Sequence, residues 1–138
     1  MNRFVVDCSV TMAWCFEDEV DAYADSVLTG VVTSAAIVPS IWPFEVINTL
    51  GVAERRRRLS SADVAKFLAV LNALDITIDP ARPECVFGPV RLLARQQNLS
   101  AYDAAYLELA MREGLPLATR DGQLKKAARA VRVSLFAA

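Results

Sequence analysis

The sequence predicts an α/β protein, a three-layer α/β/α sandwich around a short, mostly parallel sheet. The predicted strands are short and continuously apolar, which is typical of strands buried on both faces. Helical segments separate these strands, as the crossovers between parallel strands require. No linker-like or repeated stretch divides the 138 residues. We therefore expect one domain over residues 1–138.

The first half of the chain supplies three predicted strands, and Pro and Ser residues mark its helix starts. Pro43 suits a first helical turn, and Ser60 is a typical N-cap before an acid at Asp63. In chain order, the predicted elements are a strand at Arg3–Asp7, a helix that Ser9 caps and that runs through Cys15, a helix that opens within Glu17–Asp25 and runs to about Leu28, a strand at Ala35–Val38, a helix from Pro43 to Arg58, a helix from Ser60 to Leu74, and a strand at Ile76–Ile78.

The second half alternates helices with two further short strands. Ser100 is a predicted N-cap, and Gly114 is the predicted residue that ends the same helix. The predicted elements are a helix at Cys85–Gln97, a helix after Ser100, a strand at Pro116–Thr119, a helix at Gln123–Ala130 and a last strand at Val133–Phe136.

Composition excludes several kinds of chemistry. The chain has no histidine, which removes Ser-His-Asp catalysis, His-ligated zinc and imidazole general bases. Its three cysteines form no C-x-x-C pair, so a disulfide framework is not expected. The apolar run before Asp7 is too short for a signal peptide, and no run approaches the length of a membrane helix. We expect a cytoplasmic protein that does not bind membranes.

Four acidic residues occur where the pattern otherwise predicts apolar or capping positions. Asp7 ends an apolar strand, Glu45 and Asp103 lie near the starts of apolar helices, and Asp121 follows a strand. Taken singly, each of the last three is better explained as a residue that favours a helix N-terminus. Asp7 has no such simple explanation. Because strand ends of a parallel sheet share one edge, we expect the four carboxylates to converge.

A cluster of carboxylates repels itself and favours a hard cation. Oxygen ligands without histidine or thiolate select Mg²⁺, with Mn²⁺ as a substitute. Such an ion serves phosphodiester chemistry, because it polarises the phosphate and lowers the pKa of an attacking water.

Four sequence blocks resemble, in order, those of the PIN-domain ribonucleases, and in particular the VapC-type toxins of toxin–antitoxin modules. The blocks are VVDCSV, VPSIWPFEVINTL, LSAYDAAYLELA and PLATRDGQLKKAA. The resemblance covers nearly the whole chain. It implies a Mg²⁺ site at Asp7, Glu45, Asp103 and Asp121. It also implies hydrolysis of single-stranded RNA by an endonuclease that leaves a 5′-phosphate and a 3′-hydroxyl.

The resemblance assigns further roles near that site. Ser9 and Thr119 match the small hydroxyl residues beside the acids, and we expect them to orient a carboxylate or a metal-bound water. Asn48 lies one turn after Glu45 and either reaches the site or is an ordinary exposed side chain. Many members carry another acid shortly after the position of Asp121, whereas Gly122 and Gln123 follow here. One-ion and two-ion mechanisms therefore both stay open.

Basic residues are candidates for RNA binding. The run Arg55–Arg58 suits either a solvated helix end or a phosphate-contacting patch, and from it we select Arg55 and Arg56. Arg120 and Lys125 flank Asp121 and are the other candidates. Asp18 and Glu19 form either a solvated helix start or a loop over the site.

The resemblance also implies partners. The expected partner is a small antitoxin whose flexible tail wraps the toxin, and an Arg of that tail would be attracted to the acidic pocket. A homodimer is also expected, with the helices between Pro43 and Leu74 as a candidate surface.

Two other functions stay open at this stage. One is a non-catalytic RNA-binding or partner-binding module on the same fold. The other, less well supported, is a phosphatase that uses Asp7 as its nucleophile, because FVVDCSVT is similar to the haloacid-dehalogenase motif while RDGQ supplies only one acid.

Overall fold

The computed structural model describes residues 3–16 and 21–137, which contain four strands and several helices. The strands are β1 (Arg3–Val6), β2 (Ala35–Pro39), β3 (Ile76–Asp79) and β4 (Leu117–Ala118). The helices are α1 (Cys8–Ala13), α2 (Ala22–Thr33), α3 (Trp42–Arg55), α4 (Ser61–Ala73), α5 (Pro83–Cys85), α6 (Arg91–Gln96), α7 (Ala101–Glu113) and α8 (Gly122–Ala130).

The four strands form one parallel sheet in the order β3–β2–β1–β4. Strand β1 is central, since Val5 lies opposite Ile37 of β2 on one side and Leu117 of β4 on the other. The carboxyl ends of β1 and β4 are therefore adjacent. This adjacency places the residues that follow the two strands next to each other.

Helices cover both faces of the sheet. Consecutive residues of a strand point to opposite faces. Phe4, Val5 and Val6 of β1 are all buried, as are all five residues of β2. Helix α2 packs against β2, and α7 packs against β1 and β2. The predicted α/β/α sandwich with a parallel sheet is confirmed.

Several helix boundaries agree with the predictions. Ser60 and Ser100 are the N-caps of α4 and α7, and each hydroxyl accepts a hydrogen bond from a backbone N–H in the first turn. Gly114 ends α7 in the left-handed conformation with φ of 64°, which glycine adopts at little cost. Helix α3 ends three residues before the predicted Arg58, and Arg57 follows it with φ of 57°.

Two predictions at the ends of the chain were wrong. The N-cap of α1 is Asp7 rather than Ser9, because the Asp7 carboxylate accepts the hydrogen bond from the backbone N–H of Val10. The last predicted strand is reduced to a single parallel bridge between Leu117 and Leu135. Strand β4 has only two residues, so the segment Val133–Phe136 has too short a partner to pair with as a full strand.

The helix predicted over Cys85–Gln97 is interrupted by a π-helical turn at Val86–Val90. Pro89 lies inside this turn. Proline has no N–H to donate and its ring clashes with the preceding turn of a regular α-helix. The wider turn accommodates it, and the chain continues as α6.

Ion pairs attach the carboxyl end of α7 to the outer strand β3. The Arg112 guanidinium donates to both carboxylate oxygens of Asp79, at 2.7 and 3.3 Å. It also pairs with the buried Glu108 one turn earlier on the same helix, at 2.9 Å. Since α7 also carries Asp103, this network helps to fix one wall of the candidate site.

The second helix is predicted to open within Glu17–Asp25. Residues 17–20 of that segment lie outside the described residues, and Asp21 is the N-cap of α2. In the part of the chain that the structure describes, no helix has both the length and the apolar character needed to cross a bilayer.

We expect Ser60→Ala to lower the free energy of unfolding by about 0.5–2 kcal/mol, because it removes half of the capping box that Ser60 forms with Asp63. Urea denaturation measures the change. Ser61→Ala is the matched control, since Ser61 is an exposed residue just inside the helix. Equal stability of the two variants would contradict the prediction.

Candidate active site

The four predicted acids all lie at helix N-termini. Asp7 is the N-cap of α1 directly after β1, and Asp121 is the N-cap of α8 shortly after β4. Glu45 and Asp103 lie in the first turns of α3 and α7. Their charges act on one another, because Asp103 raises the pKa of both Asp7 and Glu45, and Asp121 raises that of Asp103. The structure therefore brings the four carboxylates to one region.

The Asp7 carboxylate is held by hydrogen bonds on both of its oxygens. Only 4% of the residue is exposed. Ser9 Oγ donates to Asp7 Oδ1 at 2.5 Å, and the Val10 backbone N–H donates to the same oxygen at 3.2 Å. Thr119 Oγ1 donates to Asp7 Oδ2. Burial raises the pKa of Asp7, and these three hydrogen bonds oppose that shift.

The two hydroxyls also connect Asp7 to the loop after β4. Thr119 Oγ1 accepts a hydrogen bond from the backbone N–H of Asp121 at 3.0 Å. Ser9 Oγ accepts one from the backbone N–H of Arg120 at 3.4 Å. Each hydroxyl thus donates to the acid and accepts from the loop. The position of Asp121 relative to Asp7 depends on these contacts.

Glu45 is oriented by a residue that the sequence analysis missed. The Tyr106 hydroxyl donates to Glu45 Oε1 at 2.5 Å. Tyr106 is fully buried in α7, three positions after Asp103. Burial raises the pKa of Glu45, and the hydrogen bond from Tyr106 opposes the rise. The spacing of Asp103 and Tyr106 on one helix face was visible in the sequence, but the pairing with Glu45 was not.

Asp103 is half-buried in the first turn of α7. Burial raises the pKa of Asp103, and the charge of Asp121 raises it further. A hydrogen bond with Ser100 acts in the opposite direction. The acidic cluster is therefore electrostatically strained in the absence of a cation.

A family model for the PIN domain matches residues 4–130. The chain belongs to the PIN domain family. No curated protein matches this PIN domain in sequence.

Several solved structures share its fold. PAE2754 from Pyrobaculum aerophilum has a TM-score of 0.70 and 22% identity, over 91% of this chain and 84% of that one. VapBC2 from Rickettsia felis, bound to a DNA fragment from its promoter, has a TM-score of 0.64 and 15% identity, over 97% of each chain. VapC20 from Mycobacterium tuberculosis, described as a sarcin-ricin loop cleaving toxin, has a TM-score of 0.62 and 16% identity, over 90% of this chain and 94% of that one.

The acids of this PIN domain offer the type of ligand atom that a hard cation prefers, but they do not surround a cation on all sides. All of them offer carboxylate oxygens, the ligands that Mg²⁺ prefers. Across residues 3–16 and 21–137, no three acidic or cysteine side chains are grouped closely enough to hold an ion by themselves. Mg²⁺ commonly binds through one or two carboxylates and retains several waters. The donor set is compatible with that mode of binding.

Two other side chains near the acids have different properties. Cys8 is half-buried, and burial together with the charges of Glu45 and Asp7 raises the pKa of its thiol to about 12. The thiol stays protonated at neutral pH and is a poor nucleophile. Asn48 is exposed on α3, one turn after Glu45. Asp18 and Glu19 lie outside the described residues, so a loop formed by them over the site stays a prediction.

The predicted RNA-binding residues differ in their surroundings. Arg120 Nε pairs with Asp21 Oδ2 at 2.5 Å, and 42% of the Arg120 side chain is exposed. Lys125 is partly buried on α8. Arg55 and Arg56 are exposed at the far end of α3, about 15 Å along the helix axis from Glu45. Arg55 and Arg56 are therefore not in contact with the four acids.

We expect Asp103→Asn to stabilise the metal-free PIN domain at neutral pH, because asparagine keeps the shape and removes one like charge. The folded state holds the Asp103 proton more tightly than the unfolded state, where the pKa is near 3.8. The stability from this group is present below that pH and is lost as the pH rises through the higher folded-state pKa. Urea unfolding in EDTA across pH measures the difference.

The variant should gain stability over the wild type at about pH 7, and the gain should shrink towards about pH 3. Asp75→Asn is the matched control, because Asp75 is exposed between α4 and β3, away from the cluster. A similar gain in the free energy of unfolding in both variants, or no gain in Asp103→Asn, would refute the prediction that repulsion within the acidic cluster destabilises the folded protein.

Proposed function

We propose that this PIN domain is a Mg²⁺-dependent endoribonuclease that cuts single-stranded RNA and acts as the toxin of a toxin–antitoxin pair. The observation that carries the proposal is the convergence of Asp7, Glu45, Asp103 and Asp121 in a chain of the PIN family. Such a site suits hydrolysis of a phosphodiester, which needs charge neutralisation and an activated water.

Mg²⁺ would be bound at these four acids, through one or two carboxylates directly and through retained waters to the others, with Mn²⁺ as a substitute. When bound, the ion polarises the phosphate and lowers the pKa of the attacking water. Ser9 and Thr119 would fix the orientation of Asp7 through the hydrogen bonds they donate. The protein groups thereby present carboxylate oxygens in a fixed arrangement before RNA binds, which reduces the reorganisation needed during the reaction.

RNA would be held by cationic side chains outside the acidic cluster. Arg55 and Arg56 are exposed and suit phosphate contacts at a distance from the cut site. Lys125 lies nearer to Asp121 on the same helix. Arg120 is paired with Asp21, so its contact with a phosphate would compete with that ion pair or use its remaining N–H groups.

The proposed partner is a small antitoxin. Two structural neighbours are described by names that join a toxin with its antitoxin, VapBC2 and FitAcB, the second from Neisseria gonorrhoeae. An acidic cluster attracts a basic side chain, and an Arg of a flexible antitoxin tail would occupy the place of the cation. A homodimer is also proposed, because Phe44 and Ile47 of α3 and Val70 of α4 expose apolar side chains.

The phosphatase alternative is less well supported by the residues after the late strand. A phosphatase of that type needs paired acids there, whereas RDGQ supplies only Asp121. A non-catalytic module has no need of four mutually repelling acids. The experiments below distinguish it from the nuclease.

We expect Asp7→Asn and Asp103→Asn to lower the RNA cleavage rate by at least about a hundredfold, because each removes a charge that would face the cation. The assay uses protein freed of any copurified antitoxin, a structured RNA pool, and either Mg²⁺ or EDTA. Thermal unfolding checks that each variant is folded. The wild type should cut only with the metal, within unpaired segments, and should leave 5′-phosphates.

Asp75→Asn again serves as control and should cleave like the wild type. Undiminished cleavage by both site variants would exclude the proposed site. If the protein binds RNA equally well with and without Mg²⁺ and does not cut it, the result would favour the non-catalytic module.

We expect Arg56→Ala to weaken RNA binding and to reduce the slope of log affinity against log salt concentration by up to about 1, as for the loss of one phosphate contact. Binding is measured at several salt concentrations with the cleavage-deficient Asp103→Asn background. Arg3→Ala is the matched control, because Arg3 is a partly exposed arginine at the amino end of β1 that pairs with Glu113. Equal slopes for the two variants would show that Arg56 does not contact the RNA phosphates.

A further inference from the structure

The hydrogen bond between Tyr106 and Glu45 has no role in the mechanism proposed above. The two residues belong to different helices, α7 and α3, and are 61 positions apart in the chain. The Tyr106 ring is 1% exposed, so its hydroxyl has a fixed position. The donor–acceptor distance of 2.5 Å is at the short end for a hydroxyl and a carboxylate.

The hydrogen bond leaves the two oxygens of Glu45 in different states. Oε1 accepts from Tyr106. Among the described residues, no group donates to Oε2. A glutamate has three side-chain torsions, and a half-buried one without a partner would sample several directions. Tyr106 restricts that freedom by holding Oε1 and leaves Oε2 available.

The same helix supplies both an acid and this hydroxyl. Asp103 and Tyr106 are three positions apart on α7, so they lie on one face of the helix. Helix α7 is itself fixed by the ion pair between Arg112 and Asp79. The direction of the Glu45 carboxylate is thus set by the helix that carries Asp103, rather than by α3 alone.

We propose that Tyr106 is a positioning residue, which holds Glu45 Oε1 so that Oε2 is directed to the cation, and that Mg²⁺ binding and RNA cleavage depend on Tyr106 through Glu45. This inference rests on the proposed function, because it concerns the same acidic cluster. Tyr106 does not contact the RNA or the cation. The alternative is that Tyr106 only fills space in the core, for which its ring alone would suffice.

Isothermal titration of Mg²⁺ into the wild type, Tyr106→Phe, Glu45→Gln and the double variant tests the proposal. Phenylalanine keeps the ring and removes the hydroxyl. We expect Tyr106→Phe to weaken Mg²⁺ binding by about tenfold, the lower range for loss of a residue that orients a metal ligand. The double variant should bind no more weakly than Glu45→Gln alone, because the hydroxyl acts only through Glu45.

Tyr102→Phe is the matched control, since Tyr102 is an exposed tyrosine on the same helix. It should bind Mg²⁺ like the wild type. Cleavage kinetics give a second measurement, in which Tyr106→Phe should lower kcat and leave KM for RNA unchanged. Thermal unfolding of each variant checks that it is folded.

The possible outcomes separate this inference from the proposed function. Wild-type affinity in a folded Tyr106→Phe variant would overturn the role of Tyr106 while leaving the nuclease intact. If the losses of Mg²⁺ affinity in Tyr106→Phe and Glu45→Gln add in the double variant, Tyr106 does not act through Glu45, and that part of the proposal is overturned. If the wild type binds no Mg²⁺ and does not cut RNA, the proposed function itself fails and the inference fails with it.

Discussion

The Asp7 carboxylate accepts three hydrogen bonds from two elements of the chain, and the geometry of the candidate site depends on them. Its own helix contributes the Val10 N–H and the Ser9 hydroxyl, and the loop after β4 contributes Thr119. A buried carboxylate without such partners would be costly. The acid therefore starts α1, links β1 to the loop after β4, and holds a charge at the edge of the sheet where the other acids lie.

The placement of four acids at helix N-termini makes their mutual repulsion tolerable. The N-terminal end of a helix carries a partial positive charge, worth about 0.3–1 kcal/mol for a nearby carboxylate. This does not cancel burial and repulsion, since the pKa values of Asp7, Glu45 and Asp103 are all raised. The cluster is a stability cost in the metal-free protein, and a cation would relieve it.

Local patterns were enough to predict the order of most elements and the parallel sheet, because short stretches of sequence determine strand composition, caps and strand ends. They also predicted that Asp7 and Asp121 follow strands and that Glu45 and Asp103 lie near helix starts. They failed at one local choice, since Asp7 rather than Ser9 caps α1 and the Ser9 hydroxyl donates to that acid two residues away. The other failures involve contacts between segments that are distant in the sequence. The segment Val133–Phe136 makes only a bridge because β4 is short. Tyr106 was missed because its partner Glu45 lies on another helix.

The parallel pairing of β1 with β4 also orders events during synthesis of the chain. Thr119 and Asp7 are 112 positions apart, so the Asp7 carboxylate receives its last hydrogen bond only after β4 has emerged and docked. Contacts this distant in sequence form slowly, because a long loop must close first. A nascent chain that stops before β4 would display Asp7, Glu45 and Asp103 without Thr119 or Asp121. The complete acidic cluster is thus a property of chains that extend past Asp121, and translation products that stop before it cannot assemble the cluster.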